Sequence, residues 1–463
     1  MKQILILGMV CAATLSAPSA DAAEDLLDIY QRALQADPLI REAEANRLAT
    51  EESLPQARGL LLPQITASAF EQRSESNGDQ LFQQADPTTG NIVNVTAPFE
   101  SRNNEFSQWQ IQLTQTVFNW QQIAGLQQAG KRKAEAQITY EAAQQGLLLR
   151  VAESYFNVLS AEDSLEASIA NREAIAKQLD QAQKRFDVGL IAITDVQESQ
   201  AAFDQAIADE IAAKRTLATA KYSLTEITGS RVEDLAEPKG EIPLLEPTPA
   251  VEQEWVSLAL EQNLDLVAGR INAEVASKEV SVRRGARYPT VDLIVNRTNQ
   301  ESEGERSNAG SPFFDTAFGS DQESIALQFS VPLFTGMRNN SRVKEAVYLH
   351  RAARERVQRL ARETERLTRD SYLGVLTEIS RTKALQQALK SSETALEATQ
   401  AGFEVGTRTT VDVLDAQRAL FNARTQFLRA RYDYLLNVLR LKQAAGDLRV
   451  QDLETINNLL DAS

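Results

Sequence analysis

The chain has 463 residues, with 48 Lys and Arg against 64 Asp and Glu, a net charge of −16, one histidine and one cysteine. Such acidity sets it against nucleic acid, which binds proteins through cationic contacts to phosphate. With only His350 and Cys11 available, neither a usual transition-metal centre nor a Ser–His–Asp triad can be built, so no catalytic residue, metal or cofactor is expected.

Residues 1–22 read as an export signal: Lys2 supplies the charged start, Ile4 to Leu15 the apolar core, and Ala20-Asp21-Ala22 a small-residue cleavage site. Cys11 is expected to leave with it. No other run approaches the roughly 20 apolar residues a transmembrane helix needs.

Residues 23–235 form a first repeat. A helical pattern over 24–62 stops at Pro63, because proline cannot continue a helix and its predecessor favours extended geometry. Strands are predicted at 64–70 and 107–118, with the polar stretch 71–106 between them read as a loop. In the second strand Trp109, Ile111, Leu113 and Val117 alternate with Gln108, Gln110, Gln112, Thr114 and Thr116. A long helix at 121–187 is about 100 Å at the usual rise; a turn and a return helix at 194–228 follow. A Pro-rich linker spans 236–252.

Residues 253–447 repeat this order: helix 253–286, strands 290–298 and 323–334 around a polar stretch at 299–322, long helix 337–404 and return helix 410–446. A helical tail occupies 448–463. The duplication is explicit, since Phe186 returns as Phe403 and Gly229 as Gly446, both at an offset of 217. A repeat of this length dictates architecture.

Alternation of apolar and polar residues over about ten positions fits a tilted membrane strand with one face in lipid and one in water. Four strands cannot close a barrel, and an open edge in lipid would leave backbone groups unpaired. Copies of the chain must therefore pool strands, two or three at a time.

Val405-Gly406-Thr407-Arg408-Thr409-Thr410-Val411-Asp412-Val413-Leu414-Asp415-Ala416, with Val188-Gly189-Leu190-Ile191-Ala192-Ile193-Thr194-Asp195-Val196, resembles the TolC family of outer-membrane channel-tunnels. The match runs over essentially the whole chain beyond the export signal. It implies a mainly α fold with membrane β: a homotrimer in which a twelve-stranded β-barrel is continuous with a long twelve-helix periplasmic α-barrel, each chain an internal duplication. It further implies a passive exit duct in the outer membrane of a Gram-negative bacterium, in contact with outer-membrane lipid. Its expected partners are a periplasmic adaptor (membrane fusion) protein and an inner-membrane ABC or proton-driven RND pump, and its cargo drugs or unfolded secreted proteins. The alternative is a periplasmic coiled-coil adaptor or spacer, although such proteins lack paired membrane strands.

By the same resemblance, Val188, Gly189, Leu190, Val405, Gly406 and Thr407 form the periplasmic tip that receives the adaptor. Asp412, Asp415, Asp195, Thr194, Arg408 and Phe403 line the gate. Asp412 and Asp415, at i and i+3, share a helix face; stacked rings of them would favour cations, and crowding should raise some of their pKa values. Acids in a first helical turn also simply stabilise the helix dipole, and Thr194-Asp195-Val196-Gln197 reads as a capping box. Arg408 is expected to pair with Asp195 and Thr194, whereas Phe403 stands where the family's best-known form has tyrosine and cannot donate a hydrogen bond. Trp109, Trp120, Phe118 and Phe334 are candidate membrane-interface aromatics, with core packing the other reading for the tryptophans.

Overall fold

The computed structural model describes residues 23–461 apart from 233, 239, 241, 309 and 310; the export signal and Cys11 lie outside the described residues. The elements in order are α1 (Leu26–Ala36), α2 (Pro38–Glu51), α3 (Ser53–Gly59), β1 (Gln64–Ala85), β2 (Ile92–Asn119), α4 (Trp120–Asp187) and α5 (Ile193–Thr228), followed by β3 (Glu237–Pro238). Then come α6 (Glu252–Gln262), α7 (Leu264–Gly285), β4 (Thr290–Asn308), β5 (Phe314–Ser330), α8 (Arg338–Glu404), α9 (Thr410–Ala445), α10 (Val450–Asn457) and β6 (Leu460–Asp461). Among the described residues no helix is long and apolar enough to cross a membrane.

The chain divides into two compact units. The first contains Ala45–Thr139 and Val267–Leu360, and its centre is an antiparallel sheet in the order β1-β2-β4-β5. Here the structure corrects the sequence reading. The stretches 71–106 and 299–322, expected as loops, are mostly strand: β1 and β2 meet across a turn at Asp86–Asn91, and β4 and β5 leave only 309–313 between them. Backbone pairing needs no apolar face, so Glu71-Gln72-Arg73-Ser74 carries no apolar alternation and is strand all the same.

The second unit contains the stretch ending at Glu44, Tyr140–Leu266 and the stretch from Ala361 onward. Its core joins eight helices through Leu26 and Ile29 of α1, Ile40 of α2, Tyr155 and Phe156 of α4, Leu224 of α5, Trp255 of α6, Val375 of α8, Leu439 of α9 and Leu453 of α10. Phe156 stacks on Tyr432 at 5.5 Å. The Tyr155 hydroxyl donates to Ala236 O at 2.7 Å, and burial pushes its pKa upward. The linker is fixed rather than loose, because Glu237 and Pro238 pair with Asp461 and Leu460. The first turn of α1 is tied to the last residue of α10, Asn457, whose side chain accepts from Leu26 N and donates to Asp25.

The leading helix of each repeat, expected as one piece, is broken. α1 ends at Asp37, whose carboxylate accepts the Leu39 N–H at 2.8 Å, and α6 ends at Asn263, whose side chain accepts the Leu266 N–H at 3.0 Å. These residues occupy equivalent places in the two repeats, and each caps the helix that follows.

Candidate functional site

The sheet presents two unlike faces, and the register defines them row by row. One line across the four strands is Ile65, Leu113, Val295 and Ile325; the line two residues on is Ala67, Ile111, Arg297 and Glu323. In the other direction the register shifts between Thr116 and Phe118, which sets Phe118 opposite Val291 and Val291 opposite Phe329. This bulge carries Phe118 onto the same apolar face. The apolar band stops where Arg297 pairs with Glu323 at 3.1 Å, and Trp109 lies just past that row, its ring 6.0 Å from the Arg297 guanidinium.

The opposite face carries amides. Gln110 Nε2 donates to Asn296 Oδ1 at 2.8 Å, and Asn296 Nδ2 donates to Thr298 Oγ1 at 3.2 Å. Along β2, Phe106, Gln108 and Gln110 are partly shielded while Ser107, Trp109 and Ile111 are exposed, so the sheet curves toward its amide face. Higher along the strands the characters exchange. Phe70, Phe106 and Phe318 lie on the amide side, and Glu71, Glu301 and Glu303 on the other.

Of the other candidate aromatics, Trp120 opens α4 and meets Tyr288 edge-on at 6.2 Å. Phe334 lies beyond β5, which runs from Phe314 to Ser330 instead of the expected 323–334, and is 84% exposed.

The two turns that follow the long helices are built alike. Gly189 and Gly406 take φ of 77° and 80°, a conformation that favours glycine at a helix end. Leu190 N–H returns to Arg185 O at 2.9 Å, and Thr407 N–H to Gly402 O at 2.8 Å. Thr407 also donates its hydroxyl to Gly402 O, so it closes the turn. Beside these glycines Val188, Leu190 and Val405 are 70%, 72% and 76% exposed. Three large apolar side chains on two tight turns make a surface fit for an apolar partner.

The return helices start differently. α9 is capped by Thr409: its hydroxyl accepts the Asp412 N–H at 3.3 Å, and Asp412 Oδ2 accepts the Thr409 N–H at 2.8 Å. These bonds from Thr409, helped by the positive charge of Arg408, hold the Asp412 carboxyl below its usual range. Within the single chain the cause is hydrogen bonding to the charged form; the expected upward shift concerns rings of these acids in a trimer. α5 begins at Ile193 with Ala192 at its cap, and Asp195 accepts the Ala192 N–H at 3.2 Å. Thr194 is exposed in the first turn and does not cap, which shifts the expected box by two residues.

Among the described residues no ion pair joins Arg408 to Asp195 or a hydrogen bond to Thr194. Asp195 is engaged at its own helix end, and the Arg408 side chain lies against Gly402, where an added Cβ would come within 2.8 Å of its Cγ. Asp415 is exposed and pairs with Arg418 at 3.2 Å. The contact that does join the two turns was not foreseen: the Arg185 guanidinium sits 4.3 Å from the centroid of the buried Phe403 ring. Near this end Val196 and Val413 are buried, and Ile175, Ala206 and Leu414 form a small apolar cluster.

The family model for outer membrane efflux proteins matches residues 29–230 and 255–447, once for each repeat. The chain belongs to the outer membrane efflux protein family. It is 35% identical to outer membrane protein TolC of Escherichia coli (strain K12) over 96% of this chain and 86% of that one. To TolC of Vibrio cholerae it is 36% identical, covering 99% and 98% of the two chains. Alkaline protease secretion protein AprF of Pseudomonas aeruginosa is 29% identical over 93% of this chain and 86% of its own length. In fold it is similar to the CmeC outer membrane channel of Campylobacter jejuni, with a TM-score of 0.71 at 16% identity over 95% of this chain and 90% of that one. As an outer membrane efflux protein of the TolC kind it is a transport channel placed in the outer membrane. The duplicated order of helices around paired strands is the family's own.

Proposed function

We propose that this channel is the exit duct of a tripartite export machine, and that three copies close the sheet into one barrel through the free edges of β1 and β5. The observation that carries the reading is the register, which gives one face an apolar band and the other an amide ladder. Such a wall separates lipid from a water-filled lumen.

The repeat indicates how copies join. Phe118 pairs with Val291 inside the chain; their counterparts in the other repeat, Phe334 and Ile65, are 84% and 68% exposed. Likewise a Cβ on Gly285 would meet the Gln121 backbone at 2.8 Å, whereas one on its counterpart Gly59 would meet nothing within 4 Å. A second copy supplies the missing partner in both places.

The turns at Gly189 and Gly406 are the docking points for a periplasmic adaptor, and the first turns of α5 and α9 with Arg408 and Phe403 form the periplasmic gate. An inner-membrane ABC or RND pump drives the cargo, drugs or secreted polypeptides, and the duct itself spends no energy. Trp109, Trp120, Phe118 and Phe334 belong to its membrane-facing girdle. The test is purification in detergent followed by planar-bilayer recording. A heat-modifiable trimer with discrete conductance, enlarged by Arg408→Ser, supports the reading; a monomer without conductance overturns it.

A further inference from the structure

The amide face of the sheet is almost free of charge where the opposite face is apolar. Its rows there are Gln64, Thr114, Ile294 and Ala326; then Thr66, Gln112, Asn296 and Ser324; then Ser68, Gln110, Thr298 and Gln322. The next row toward the helices is Thr116, Asp292 and Gln328. Asp292 is the one ionisable side chain in these rows. It stands between Val291 and Leu293, so it lies within the height of the apolar band, and strand alternation turns it away from that band.

Among the described residues the Asp292 carboxylate takes part in no ion pair or hydrogen bond, while its row neighbours Thr116 and Gln328 are neutral. The other charged pair of this region, Arg297 with Glu323, belongs to the opposite face and is self-compensating. A carboxylate with no countercharge beside it, on a wall facing a water-filled passage, attracts cations and repels anions that pass. Rings of such groups make channels select cations, and lumenal substitutions tune that selectivity.

We propose that Asp292 is a specificity-determining residue of the open duct: its carboxylates, one from each copy, form a fixed cation-favouring belt inside the membrane wall, separate from the acids at the helix turns. This rests on the reading of the sheet as part of a closed barrel. The belt does not depend on the state of the periplasmic end, because Asp292 sits on a hydrogen-bonded strand with partners on both sides.

The experiment is reversal-potential measurement on the purified full chain in planar bilayers under a KCl gradient, in the Asp412→Ala, Asp415→Ala background that removes the acids at the turns. At ~0.1 M salt the screening length is about 10 Å, long enough for wall charges to act across much of a lumen, and at 1 M it is about 3 Å. The expected result is residual cation preference at low salt that disappears in Asp292→Asn, survives in Asp292→Glu and reverses to anion preference in Asp292→Lys. It should fade at 1 M KCl in every form. An unchanged reversal potential in Asp292→Asn, in channels of normal conductance, overturns the proposal. A protein that never conducts, in any variant, overturns the barrel reading itself.

Discussion

The Arg185 guanidinium lies 4.3 Å from the centroid of the Phe403 ring, which joins the end of the first long helix to the end of the second. The two residues occupy nearly equivalent places in their repeats, one contributing a cation and the other a π face. Where a tyrosine would donate a hydroxyl, the phenyl ring accepts a cation. Such a contact contributes about 0.5–2 kcal/mol, depending on how far it is desolvated. Val196 and Val413 are also buried near these ends, but the only apolar cluster there is the small one of Ile175, Ala206 and Leu414 among the described residues, and segments with few buried contacts open most readily.

If the turns form the proposed gate, Arg185→Gln should widen or destabilise it, raising mean single-channel conductance, while Phe403→Tyr keeps the ring and leaves conductance near wild type. Planar-bilayer recordings on the three proteins check this. A mutant indistinguishable from wild type at Arg185 would remove the latch.

Asp412 and Asp415 should bind di- or trivalent cations that block current from the periplasmic side, and Asp412→Ala with Asp415→Ala should abolish the block. The pH dependence follows from the direction of the Asp412 shift. Its folded value is below the ordinary one, so its charge is complete above the usual carboxylate range and is lost only as pH falls through the lowered value. Block should thus persist below the range in which a free aspartate is titrated. Thr409→Val, which removes the hydroxyl but leaves the backbone donor, should move the loss of block to higher pH. Block that titrates identically in both proteins would refute this.

The repeats, the long helices and the two turns were legible because each has a local signature: identity at a fixed offset, uninterrupted helical composition, glycine where φ is positive. The apolar faces of the strands were legible for the same reason. The upper halves of the strands were not, because Glu71 to Ser74 and Glu301 to Arg306 are polar on both faces and held by backbone pairing, so no apolar alternation announces them. The helix breaks at Asp37 and Asn263 had a readable cue in Asp37-Pro38, a cap followed by a first-turn proline, and the repeat would have carried it to Asn263. The Arg185–Phe403 contact had none, since partners so far apart in sequence are chosen by the fold. The role of Asp195 was misplaced by two residues because Thr194 offers a better cap on paper than Ala192.

Gly189, Gly229, Gly406 and Gly446 follow helices at positive φ, and their substitutions should differ sharply. A Cβ at Gly446 would lie 2.3 Å from Gln262 O, while at Gly406 it would meet nothing within 4 Å. Gly406→Ala should cost about 1 kcal/mol of local backbone strain and leave the assembled protein intact. Gly446→Ala should prevent α9 from closing on α6 and abolish the folded form. Yield of heat-modifiable protein and chemical denaturation midpoints distinguish the two.

On the sheet, Val295→Arg places a charge in the apolar band and should destabilise the membrane-inserted form by about 2–4 kcal/mol, whereas Asn296→Arg on the amide face should fold normally and alter ion selectivity. Denaturant titration in detergent micelles reads the first effect and reversal potential the second. Equal destabilisation by both would show the faces assigned wrongly.

The bond between Leu26 and Asn457 carries a consequence for the timing of biogenesis. It spans 431 residues, and Asp25 is tied to the same side chain. A chain delivered to its compartment from the N-terminus forward exposes α1 first and must wait for α10 before that helix finds its place. The core that holds the greatest sequence separation is therefore sealed last, once the whole polypeptide has arrived. Until then the α1 side of this core, Leu26 above all, lacks the part of its cover that α10 supplies.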